Sequence, residues 1–148
     1  MIYNAIKSDI MKYDGDNMKR ILYLDKKSDE INNILTKKKN TLMRAANIKK
    51  YPFEMIDRND RLYFINNNTE GLVLASATAQ KVRYLHLSKE DSNKLIDDME
   101  PFLLLTKKKL DYMRNRKYVT IITLSDIKKE YATLDESKYG IVEDWVII

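Results

Sequence analysis

Residues 61 to 85 constrain the fold more than any other part of the chain. Arg61-Leu62-Tyr63-Phe64-Ile65 has strand composition, residues 66–71 have turn composition, and from 72 to about 85 Val73, Ala75, Ala77 and Ala79 alternate onto one face. A period of two sustained that long excludes a helix and predicts a hairpin whose register is set by its apolar face. The remaining elements must pack around this hairpin.

Upstream, Arg20-Ile21-Leu22-Tyr23-Leu24 reads as a strand, and Ile31, Ile34 and Leu35 have the spacing of a short helix. A lysine run leads into the extended piece Asn40-Thr41-Leu42-Met43-Arg44, then an irregular stretch through Pro52 and a turn at Asp57-Arg58-Asn59-Asp60. Downstream, Ser88 with Asp91 three residues on resembles a helix cap. That helix is expected to end near 99, with Glu100-Pro101 as a break and a second helical stretch to about 114. Tyr118-Val119-Thr120-Ile121-Ile122-Thr123-Leu124 is the most β-prone run, and Asp144-Trp145-Val146-Ile147-Ile148 is expected to close the domain as a strand. The fold class is therefore α+β. At 148 residues one core is expected, over 19–148. Residues 1–18 are expected to be an extension with an amphipathic helix, because Ile2, Ile6, Ile10 and Tyr13 form one stripe before Gly15.

Composition narrows the chemistry. With no cysteine, disulfides and thiolate metal sites are excluded, and a single histidine, His86, excludes a two-histidine site, so no cofactor is expected. His86 is expected to end a strand as a surface or half-buried residue. Glu90, Asp91, Asp97, Asp98 and Glu100 suit a solvated helix face better than a catalytic carboxylate pair. The first nine residues lack the basic start and apolar run of a signal peptide, and no apolar stretch approaches the ~20 residues of a membrane span, so a cytoplasmic location and no membrane contact are expected. The 27 basic residues, 20 of them lysine, exceed the 22 acidic ones by five. That excess points to an anionic partner, RNA or a nucleotide.

The run Lys37-Lys38-Lys39-Asn40-Thr41-Leu42-Met43-Arg44 resembles the motif of the ASCH family of PUA-like domains, in which a glycine and a basic pair precede a polar residue and an arginine on the next strand. Lys39 and Arg44 match; Lys37 stands for the glycine and Leu42 for the polar residue. The family's Gly-Asp turn before an apolar strand has its counterpart in Asn59-Asp60, where asparagine can supply the positive φ. The resemblance covers roughly residues 20 to 148. It implies a small PUA-like β-barrel with flanking helices and a cleft beside the first helix that accepts RNA or nucleotides. Some relatives hydrolyse acetylated cytidine with a lysine, a threonine and a glutamate. Leu42 occupies the threonine position and neighbouring Thr41 faces the other side of the strand, which argues against that chemistry here.

The first reading is a binding module rather than an enzyme. Lys38, Lys39, Lys49 and Lys50 would contact phosphates, with Lys107, Lys108, Lys109, Arg114, Arg116 and Lys117 as further bases. Arg44 would lie in the cleft against a base or phosphate, and Tyr51 would stack on a base. An enzymatic alternative, modifying a nucleoside or cleaving RNA, would use Lys39 with Thr41 or Glu90. A third is a viral or mobile-element protein that blocks a nucleic-acid site, docking through the N-terminal helix. Trp145 is expected in the core rather than in a base pocket.

Overall fold

The computed structural model describes residues 13–14, 17–68 and 70–133. β1 (Tyr13–Asp14) and β2 (Asn17–Leu24) lead through a 3₁₀ turn (Lys26–Ser28) into α1 (Glu30–Leu35) and β3 (Thr41–Ala46). After a loop come β4 (Arg61–Asn66), β5 (Leu72–His86), α2 (Lys89–Leu103), α3 (Lys107–Met113) and β6 (Tyr118–Thr133). The strands form one mixed sheet in the order β1-β2-β4-β5-β6-β3, with β2 parallel to β4 and the other pairs antiparallel.

The hairpin forms, although a register shift turns Val73 into a separate cluster with Ile21 and Ile65 and leaves Ala75, Ala77 and Ala79 buried on one face. Small side chains on this face let the sheet curl around Phe64, Leu22 and Leu24, against which Ile31 and Ile34 of α1 pack. Register shifts at three places between β5 and β6 supply the bending. On the other side of β3 and β6, Met43, Val119 and Ile121 pack against Ile96 and Leu103 of α2 and Leu110 and Met113 of α3.

Four expectations change. The closed barrel is not formed by backbone pairing: among the described residues no ladder joins β3 to β2. Side chains bridge that seam, the Tyr51 hydroxyl donating to the Ile21 carbonyl at 2.7 Å and Arg44 to the Tyr23 carbonyl at 3.2 Å. Second, α2 continues past Glu100-Pro101. Pro101 lies in the last turn, and the helix stops where Leu104 turns left-handed at φ 53° and Thr106 caps α3. Third, β6 runs nine residues beyond Leu124, because the long β5 offers it a partner as far as Leu72. Fourth, Tyr13 and Asp14 are strand, paired with Met18 and Asn17. The rest of the expected N-terminal helix and the expected strand at Trp145 lie outside the described residues.

Candidate functional site

Glu30 lies one helical turn before Ile34 on the buried stripe of α1 and is fully buried. One carboxylate oxygen accepts from the Asp25 amide at 2.8 Å and from Arg44 at 3.2 Å; the other accepts from Lys39 at 2.8 Å. Lys39, 3 % exposed, also donates to the Leu103 carbonyl, a group left without an amide partner where α2 ends. Arg44 is 7 % exposed and donates further to the Met43 carbonyl at 2.8 Å. Burial alone would raise the Glu30 carboxyl, but the Arg44 and Lys39 cations and the Asp25 amide outweigh it and hold the pKa at about 2. Burial draws Lys39 downward, against the opposing pull of Glu30. Lys39 and Arg44 share the Glu30 carboxylate, and the nearby Asp25 carboxylate acts on Lys39 as well.

Arg44 also borders a cleft. Its inner slot has Arg44 and Thr120 on the sheet, Phe53 and Tyr118 on one side, and Tyr112 and Met113 of α3 on the other. Outward it opens into a depression of about 300 Å³ whose lining includes Asp25, Lys27, Asn67 and Lys108. Lys109 and Tyr112 line both parts and make them continuous. The walls are tied together: the Ser28 hydroxyl donates to the Asp25 carboxylate and accepts the Thr106 amide at 3.0 Å, while Asn67 donates to Asp25 at 3.2 Å. Lys109 is half-buried and has no ion-pair partner among the described residues. Burial lowers its pKa and Arg44 lowers it further, against Asp25 and Glu30. Two cations therefore border one space, an arrangement that a bound anion stabilises. The Tyr112 ring carries Lys109 at 5.7 Å and Arg116 at 4.6 Å from its centroid.

The residues expected at the site are distributed as follows. Arg44 and Lys39 converge on Glu30, but only Arg44 reaches the cleft. Lys39 is consumed by its buried partners and presents nothing to a phosphate. Lys50 lines the cleft, Lys49 is exposed and 3.5 Å from Glu54, and Lys38 lines a separate depression with Lys37 and Asn40. Tyr51 is buried at 3 % exposure, its pKa raised by that burial, and its ring is not open to stacking. The enzymatic trio is not assembled. Thr41 bonds its neighbour Asn40 at 3.3 Å, and Glu90 lies at the opposite end of α2 from Leu103, about 20 Å away by helix rise.

Both positions where the resemblance calls for glycine have positive φ, 62° at Lys37 and 77° at Asn59. The Asp60 carboxylate then accepts from the Met18 amide at 3.1 Å and the Asp57 amide at 2.8 Å, pinning the turn to β2. This chain has the ASCH fold. Crystal structures of the Zymomonas mobilis ASCH protein and of a single-substitution variant superpose with TM-scores of 0.59 and 0.60. Each pair is 15 % identical, covering 80 % of this chain and 75 % of the other. No protein-family model matches the sequence, and no curated protein does. Where the ASCH motif has a polar strand residue, Leu42 is core, and the carboxylate facing Lys39 and Arg44 is Glu30 of the helix.

Sequence reasoning missed Glu30 and Tyr112 as site residues and counted Lys109 only as one base among many. One signal was present: Glu30 stands four residues before Ile34, a carboxylate in register with the buried stripe.

Proposed function

We propose that this protein binds single-stranded RNA or a nucleotide in the cleft between β3 and α3. The observation that carries the reading is the juxtaposition of Arg44, fixed by Glu30, with half-buried Lys109, which has no ion-pair partner among the described residues, across one cleft. A phosphate between them would supply Lys109 with a counter-charge and relieve its repulsion by Arg44, with Lys27, Lys50 and Lys108 steering the backbone at the rim. Tyr112, held by two cations at the junction of slot and depression, is the stacking surface for a base. The ASCH fold supports a nucleic-acid ligand by likeness of fold alone.

The reading is non-catalytic, in a protein acting in the cytoplasm. A guanidinium with two carbonyls and a carboxylate around it is oriented but not free to exchange protons. The test is binding of a labelled single-stranded RNA by fluorescence anisotropy. Arg44→Ala and Lys109→Ala each weaken it by roughly 1–3 kcal/mol, and Lys38→Ala, outside the cleft, leaves it close to wild type. Equal losses in all three variants would mean a diffuse surface rather than a cleft.

A further inference from the structure

The face of the sheet that carries Arg44 continues beyond the cleft. Arg44 pairs with Thr120 and Thr120 with Tyr84; one rank further along, Ala46 pairs with Tyr118 and Tyr118 with His86. His86 therefore shares the Arg44 face, two strands and one rank away, about 12 Å from strand spacing and rise. Its imidazole lies flat on the Tyr118 ring, centroids 4.6 Å apart at 16°. Tyr118 is itself a wall of the cleft, and Phe53 braces it edge-on at 5.2 Å. His86 is exposed, and β4 pairs with β5 no further than Thr78, so among the described residues no strand covers that side of it. An exposed cation borders the stack: Lys49 lies 5.9 Å from the Tyr118 centroid, although also near Glu54.

Resting on the RNA reading above, we propose that the outer face of His86 is a second base platform, stacking an unpaired nucleobase of a strand whose neighbouring nucleotides occupy the cleft. A ring whose back is fixed on another ring has lost little freedom that binding must remove, and every base presents a face that can stack on it. A surface histidine kept only for solubility would not need a rigid aromatic support continuous with the cleft wall. The platform sets the direction of the bound strand, from Lys109 and Arg44 past Lys50 and Tyr118 toward His86.

The test uses uridine monophosphate and octauridylate with the full chain. His86 is the only histidine, so its Hε1 ring proton gives one assignable NMR signal. Octauridylate should shift that signal, and His86→Ala should weaken octauridylate binding at least about fivefold. The monophosphate should bind His86→Ala as it binds wild type, and His86→Phe should retain octamer affinity. If Arg44→Ala weakens the octamer but His86→Ala does not and the signal stays still, the platform is wrong and the cleft reading stands. If His86→Ala weakens the monophosphate equally, the residue acts through Tyr118 on the cleft and the separate platform is also wrong. If wild type binds neither ligand, the RNA reading and the platform fall together.

Discussion

Lys39 Nζ lies 2.8 Å from Glu30 Oε2 with neither side chain reaching solvent, although Lys39 ends a run of three lysines whose other two members are exposed. Its loop position does not predict this; the free Leu103 carbonyl and the Glu30 carboxylate together draw it inward. Glu30→Gln leaves a buried ammonium without a counter-charge and should destabilise the fold by about 3–5 kcal/mol in urea unfolding. Lys39→Met removes charge and cost together and should be milder, about 1–3 kcal/mol, with RNA affinity of the folded protein unchanged. A folded Lys39→Met protein that no longer binds RNA would return Lys39 to the binding surface.

Acid stability should carry the signature of Glu30. Its folded pKa, about 2, lies below the ordinary value of 4.5, so its stabilisation is fully present above pH 4.5 and is lost as pH falls through 2. The displacement corresponds to about 3 kcal/mol for this fully buried group. Unfolding free energy measured between pH 6 and pH 2 should therefore fall in wild type, and by about that much less in Glu30→Gln.

Lys37 holds a left-handed backbone, φ 62°, without the conformational freedom of glycine. Lys37→Gly should raise stability by about 1 kcal/mol, read as a higher urea midpoint at unchanged slope. No change would mean that the Lys37 backbone is not strained.

Tyr51 at the seam and Tyr112 in the cleft should separate fold from function. Tyr51→Phe removes the hydroxyl that donates to the Ile21 carbonyl and should cost about 1 kcal/mol of stability while leaving RNA affinity alone. Tyr112→Ala should do the reverse on binding, weakening RNA by about 1–3 kcal/mol through lost stacking.

Much of this fold is legible in the sequence because its strands advertise one face. Val73 to Ala79 and Ile121 to Leu124 announce the hairpin and its partner, and Ser88 announces α2 through a cap that forms as expected, the Asp91 amide donating to the hydroxyl at 3.2 Å. Arg44 is singled out in the sequence by its match to the ASCH motif, and strand parity sets it on the side of Leu42. The failures have one physical root: burial of polar groups depends on partners far away in sequence. Lys39 is drawn inward by Leu103, 64 residues on, and Tyr51 by Ile21, 30 residues back. Lys109 and Tyr112 become cleft residues only because Ser28 anchors the start of α3 through the Thr106 amide. The end of α2 was misplaced because Pro101 is tolerated in a last turn whose stop is set by the backbone at Leu104.

The central claim is that Arg44 and Lys109 face RNA phosphate across one cleft, and its most direct measurement is the salt dependence of binding. For a single strand with four to six neutralised phosphates, the log–log slope of affinity against salt should be about −3 to −4, at about 0.7 per phosphate. Lys109→Ala should flatten that slope by about 0.7 and weaken all sequences alike, and Arg44→Ala should add a change in base preference if its guanidinium reads a base. A wild-type slope near zero, or no association with single-stranded RNA at low ionic strength, would contradict the account.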